Sequence, residues 1–271
     1  RLSEPPNASD QDIARRTSEL AIPYFYPTKR IDKDLDIWYE RDYRSLGVYS
    51  LDRFYTRRNL YWLSAIYSRI SQAEEQVRRA LLVSFTGTLQ IASRMSSFRY
   101  DSRNPNNTAG GILKGALYIP SLSKEANVAD LWSRRMRAIS SMKRAIHAFA
   151  KDNTVLSTGT STQIGLASDS VDYVFLDPPF GSNLIYSELS LIWEAWLGVL
   201  TCDDQEAVVH RRRQVRRTTE KYRLLMTKCF AEAYRILKPG RWMTVEFSNT
   251  NAVICNVIQT ALTEAGFIVA N

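Results

Sequence analysis

The chain is poor in the residues that staple or metallate a fold. Its 271 residues include three cysteines, Cys202, Cys229 and Cys255, at no paired spacing. Two histidines, His147 and His210, have no ligand pattern beside them. A disulfide scaffold and a zinc module are therefore excluded, and reduced thiols, no metal and a cytoplasmic location are expected. Long apolar runs are also missing. None approaches the length of a membrane span and no signal peptide is visible, so no membrane partner is expected. The last absence is a glycine-rich phosphate turn. Gly110-Gly111 neither follows a strand nor opens a helix, and Phe85-Thr86-Gly87-Thr88 lies inside a helical stripe without a second glycine. A cofactor glycine loop needs a strand–turn–helix context that neither has.

What is present is a globular composition, 45% hydrophobic and 24% charged. The length suits one large α/β domain, or one domain with a helical appendage. The formal charge of +8 and pI near 9.4 favour a polyanionic partner. The first residue is Arg1 rather than methionine, and the expectation is a piece of a longer product.

Organisation changes near residue 150. Residues 151–271 alternate strand and helix, whereas residues 1–150 read as mostly helical with a loop at 96–122. The stretch that carries chemistry is Val171-Asp172-Tyr173-Val174-Phe175-Leu176-Asp177-Pro178-Pro179-Phe180. Its apolar run predicts a parallel strand covered on both faces. Pro178 and Pro179 forbid continuation of the ladder, so the chain leaves the sheet at Asp177. That carboxyl edge is where open α/β sheets bind ligands. The Asp177 carboxylate can accept a hydrogen bond from an amino group. The Pro178 carbonyl is a second acceptor, held rigidly by the Pro179 ring, and Phe180 offers a flat face. Two acceptors beside a stacking platform suit the exocyclic amine of a base that has left its helix. The plain alternative is an ordinary strand end with a Pro-Pro turn.

Asp177-Pro178-Pro179-Phe180 resembles the catalytic motif of amino-group methyltransferases that use S-adenosylmethionine. With Gly181-Ser182-Asn183, Ser187-Glu188-Leu189 and Trp193-Glu194-Ala195-Trp196-Leu197, the run is similar to a prokaryotic branch of DNA methylases. The resemblance covers mainly residues 150–271 and, more loosely, 50–150. It implies a Rossmann-like methyltransferase sheet, present in part, with a largely helical N-terminal part. It also implies methyl transfer from S-adenosylmethionine to a base amine in DNA, in a setting such as restriction–modification or phage defence. Aspartate in first place is commoner in the adenine N6 enzymes; cytosine N4 and RNA guanine N2 are the other targets. Asp177, Pro178, Pro179 and Phe180 are then the catalytic residues. The resemblance further places Phe54 and Thr56 at the methionine end of the cofactor and Thr158 in the loop that borders its adenine, with Asp177 as a further cofactor contact. The acidic residue usual in the loop at Thr158 is missing. With the glycine motif also missing, the chain alone is expected to bind cofactor poorly, whether because an upstream half is absent or because binding has been lost. A non-catalytic nucleic-acid-binding module on this fold is the alternative from another class.

The remaining segments leave alternatives open. Residues 23–50 interleave Tyr24, Phe25, Tyr26, Trp38, Tyr39 and Tyr43 with basic residues, which suits either nucleic-acid contact or an irregular layer over a core. Thr56 is an N-cap for a helix with Leu60, Leu63, Ile66, Tyr67 and Ile70 on one stripe. Ser71 and Glu74 form a capping box for the next helix. Residues 96–122 read as a mobile loop or an exposed hairpin, and Leu117-Tyr118-Ile119 as a short strand. Asn127 caps a helix with an apolar face to about residue 149 and with Arg134, Arg135, Arg137, Lys143 and Arg144 on the rest, ordinarily a solvated face. Arg211, Arg212, Arg213, Arg216 and Arg217 are the candidate phosphate contacts, or else one solvated helix face. Short strands are predicted at Thr154-Val155-Leu156, Met243–Phe247 and Phe267-Ile268-Val269, and a helix ending at Lys238-Pro239-Gly240.

Overall fold

The computed structural model describes residues 7–31, 33, 35, 37–40, 43, 45–99, 109–149, 153–181, 184–202, 205–209 and 218–270. The five candidate arginines, Arg211, Arg212, Arg213, Arg216 and Arg217, lie outside the described residues. The chain divides into two compact units: Arg1–Lys151 with Glu188–Leu200, and Asp152–Ser187 with Thr201–Asn271. Among the described residues, no helix is long and apolar enough to cross a membrane. No group of His, Cys, Asp and Glu among them could hold a metal ion.

Unit one is helical. After α1 (Ala8–Ser18) and the short α2 (Ile37–Glu40), a 3-10 turn at Leu51–Phe54 leads into α3 (Arg57–Ser71), α4 (Glu75–Leu89) and α5 (Val128–Phe149). Thr56 caps α3 by accepting from Asn59 N at 3.2 Å, and Asn127 caps α5 by accepting from Asp130 N at 3.2 Å. Both satisfy a first-turn N–H that has no partner in its own helix. The expected box of Ser71 with Glu74 does not form. Ser71 belongs to the last turn of α3, where its hydroxyl donates to Tyr67 O, and Glu74 makes no side-chain cap.

The apolar stripe of α3 buries Leu60, Leu63, Ile66 and Ile70 as predicted. They join Phe85 and Leu89 of α4 and the irregular layer before α3, from which Ile31, Ile37, Tyr43 and Val48 are buried. Core packing thus accounts for this layer's buried members. α6 (Tyr186–Leu197) supplies the keystone. Leu191, Ile192 and Trp196 belong to the same core, so residues 188–200 pack with unit one rather than with the second half of the chain. The Trp196 ring meets Phe85 at 5.3 Å and Tyr67 at 5.7 Å, both steeply tilted. Such edge-to-face packing suits aromatic quadrupoles. β1 (Ser97–Phe98) and β2 (Ala109–Gly111) pair antiparallel. Leu117 and Ile119 are buried but form no strand, and the Leu117 carbonyl accepts from the Tyr43 hydroxyl instead.

Unit two holds the small parallel sheet. β3 (Val171–Leu176) pairs in parallel with β4 (Leu237–Val245), and the register runs cleanly from Tyr173 opposite Trp242 to Leu176 opposite Val245. α7 (Thr219–Ile236) hands over to β4 without an intervening loop. The Lys238-Pro239-Gly240 stop therefore lies in the strand, where the register between Val171 and Tyr173 is broken. Gly240 there has φ +71°. α8 (Ala252–Glu264) packs on α7 around Phe230, Ile254, Ile258 and Ala261.

This α/β arrangement corrects three expectations. β3 is covered on one face: Leu176, with Met243 and Val245 of β4, meets the helical core, while Tyr173 and Phe175 are 54% and 56% exposed. Side chains alternate across a strand, and α7 and α8 occupy one side. Residues 154–156 and 267–269 form no strand. Val155 is 93% exposed and Ile268 96%; no neighbouring strand among the described residues offers either segment a ladder, and isolated strands have no local stability.

Candidate active site

The site is built at the carboxyl end of β3, where the ladder ends with Glu246 N donating to Leu176 O at 2.9 Å. Two side chains then clamp the turn by its carbonyls. The Tyr222 hydroxyl on α7 donates to Pro179 O. Asn249 Nδ2, just past β4, donates to Phe180 O at 2.6 Å. Among the described residues, nothing donates to the Asp177 carboxylate or to the Pro178 carbonyl. The clamp engages the two carbonyls that follow and leaves free the two acceptors that the motif offers. Asp177 is exposed and Pro178 buried.

Packing fixes the rest of the turn. The half-buried Phe180 ring stands perpendicular to Phe247, with centroids 5.5 Å apart. Gly181 turns the chain with φ +74°, and a Cβ there would lie 2.9 Å from Ile254 Cγ2. Both the dihedral and the close approach demand glycine. Val209 N donates to Gly181 O at 3.3 Å. Glu206 accepts from Ser187 N at 2.9 Å and Ser187 Oγ at 2.6 Å, holding the start of α6.

Two tyrosines border the motif. Burial raises the Tyr222 hydroxyl above its ordinary pKa, and Tyr186 adds to the rise. Burial also raises Tyr186, followed by the charge of Asp177, while a backbone hydrogen bond at Phe180 opposes the rise. Both therefore stay protonated near neutrality: Tyr222 as a committed donor, and Tyr186 as a neutral polar group within the field of Asp177. Reading the sequence missed Tyr186, Tyr222, Asn249 and Glu206. Tyr222 read there as one residue of an amphipathic helix. Asn249 carried one usable signal, its position just after a parallel strand at the ligand-binding edge.

A cavity of about 290 Å³ opens beside the motif. Asp177, Pro178 and Pro179 line it with Thr160, Thr162 and Gln205 on the polar side, and α7 supplies an apolar wall. Thr158 is exposed, two residues before this rim, and does not line it. The rim is tethered to α7. Glu232 accepts from Ile164 N at 2.6 Å, and Arg235 Nη2 donates to Ile164 O and Leu166 O at 3.0 and 2.9 Å. Arg235 hydrogen bonds, then the Ile164 N–H, hold the Glu232 carboxyl down to about 2. Cys229 lines the same wall, its thiol pushed up by burial.

The other predicted cofactor residues belong to unit one. Phe54 is fully buried in its core. The Thr56 hydroxyl caps α3 and donates to Glu125, which also binds Arg58. A methionine carboxylate would have to compete with Glu125 for Thr56. Phe54 is buried and Thr56 is engaged by Glu125, whereas the rim around Thr160 and Asp177 brings polar groups to a cavity. Comparison with known proteins returns no match: no family model matches the chain, nor does any curated protein or solved structure.

Proposed function

We propose that unit two presents an acceptor site for an exocyclic base amine, and that the function is methylation of adenine N6 in DNA by a Rossmann-like enzyme. The observation that carries this reading is the clamp. Tyr222 and Asn249 occupy the carbonyls of Pro179 and Phe180, and among the described residues nothing donates to the Asp177 carboxylate or the Pro178 carbonyl. Two acceptors take the two amine hydrogens, which turns the nitrogen lone pair away from the base plane and toward an electrophile. Phe180 stacks on the extruded base. S-adenosylmethionine, when bound, supplies the electrophilic methyl group; the amine is the nucleophile, so no covalent enzyme–base bond is required. The chain's own work is to bind, orient and hold the amine.

The reading is tested by incubating the chain with unmethylated DNA and an excess of methyl-tritiated S-adenosylmethionine, then digesting the DNA to nucleosides. N6-methyladenine is expected. Label in N4-methylcytosine, or in guanine N2 when RNA replaces DNA, would move the target base. No label in any nucleic acid would contradict methyl transfer. One observation favours a second reading: the engagement of Thr56 by Glu125 suits a non-catalytic nucleic-acid-binding module, which retains salt-sensitive DNA binding without any label.

A further inference from the structure

Among the described residues, α5 carries more cations without an ion pair than the other helices do. Arg15 and Arg16 of α1 pair with Asp12. Arg78 and Arg79 of α4 pair with Glu75. Arg223 and Arg235 of α7 pair with Glu220 and Glu232, and Arg223 also with Glu264. α5 carries Arg134, Arg135, Arg137, Lys143 and Arg144 against one acid, Asp130. All five cations are exposed, and among the described residues none makes an ion pair.

The five are not spread evenly. Arg134, Arg137, Ser141 and Arg144 recur at intervals of three, four and three, so they share one face of the helix. The helical rise spreads Arg134 to Arg144 over about 15 Å. Like charges at such spacings repel, and no other side chain described neutralises them. At its N-terminal end the stripe meets a cavity of about 620 Å³ lined by Lys124, Arg134 and Arg135, with Glu125 and Asp130 as its acids. Glu125 is already engaged by Thr56 and Arg58, so the unmatched charge there is positive.

We propose that this face of α5 is a docking surface for the phosphodiester backbone of a nucleic acid. Arg134, Arg137 and Arg144 meet phosphates, and Lys124 and Arg135 extend the surface into the cavity. Guanidinium groups bind phosphate oxygens in pairs and remain charged at any working pH. A phosphate array releases counterions on binding, so the interaction carries a salt signature that a merely solvated helix lacks. The proposal stands on charge matching and geometry, and needs no transfer chemistry at Asp177.

The test uses the full chain and a fluorescein-labelled DNA duplex, with anisotropy titrations over a series of sodium chloride concentrations. The triple variant Arg134→Ala, Arg137→Ala, Arg144→Ala is compared with a control of equal charge change, Arg15→Ala, Arg78→Ala, Arg79→Ala. Alanine is the best helix former, so α5 persists, and circular dichroism verifies it. The α5 variant is expected to bind more weakly, with a log K against log salt slope shallower by about 0.9 for each phosphate left unneutralised. The control should weaken much less. Equal weakening in the two variants, an unchanged α5 variant, no DNA binding by wild type, or a preference for phosphatidylserine vesicles over DNA would each overturn the proposal. Methyl labelling is read separately. Label without an effect of the α5 variant on binding sinks this surface alone, and weakened binding without any label sinks methyl transfer alone.

Discussion

At the scale of the residue, the turn after β3 is held by contacts that each do one thing. Gly181 is the strictest of them. Alanine there must adopt φ +74° and meet Ile254 Cγ2 at 2.9 Å, which costs about 1–3 kcal/mol in backbone strain before any repacking. Gly181→Ala should lower the urea midpoint accordingly, and an unchanged midpoint would contradict the packing described. The motif itself was legible in the sequence, since prolines, a carboxylate and an aromatic ring after an apolar run fix where a strand must stop. The clamp was not. Tyr222 and Asn249 reach Pro179 and Phe180 from 43 and 69 residues away, and no local pattern encodes a tertiary hydrogen bond.

At the scale of the element, the helices were legible because a stripe of period 3.6 and a capping side chain are local properties. Thr56 and Asn127 cap as their residue types require. Strands depend on neighbours, which is why Thr154-Val155-Leu156 and Phe267-Ile268-Val269 have the composition of strands yet pair with no strand among the described residues. The keystone role of α6 belongs to this scale too. Trp196 is 1% exposed among Tyr55, Tyr67 and Phe85, so Trp196→Ala should destabilise unit one by about 3–5 kcal/mol. Thermal melting would show this, and a melt matching wild type would deny α6 its place in that core.

The tether between α7 and the cavity rim gives a pH test. The Glu232 carboxyl is held down to about 2, from an ordinary 4.5. A carboxylate with a lowered folded-state pKa stabilises the fold above its unfolded value, and that contribution disappears as pH falls from about 4.5 toward 2. Glu232→Gln should therefore be less stable at neutral pH and show a shallower loss across that acid window. Parallel curves for the two proteins would rule the tether out.

At the scale of the whole molecule, each unit has its own core and its own electrostatic character. Unit one carries unmatched cations along α5. Unit two carries, at the end of a parallel strand, two acceptors to which nothing donates among the described residues, with a protonated tyrosine near Asp177. Under the proposed function, polyanion binding and amine recognition are compatible demands of one activity on nucleic acid, and the formal charge of +8 agrees with the first of them. The change in periodicity near residue 150 is a local property of the sequence, and the two compact units are Arg1–Lys151 with Glu188–Leu200 and Asp152–Ser187 with Thr201–Asn271. The return of residues 188–200 to unit one was not legible in the sequence, because the apolar face of α6 fits either core by pattern alone.

The central claim is that Asp177 and the Pro178 carbonyl hold a base amine. The most direct measurement compares label transfer from excess S-adenosylmethionine to DNA by wild type and by Asp177→Ala, with circular dichroism confirming an intact fold. Asp177 is exposed and makes no hydrogen bond among the described residues, so its loss should leave stability unchanged. The account predicts N6-methyladenine from wild type and none from Asp177→Ala. Equal label from both proteins, or none from wild type, would contradict it.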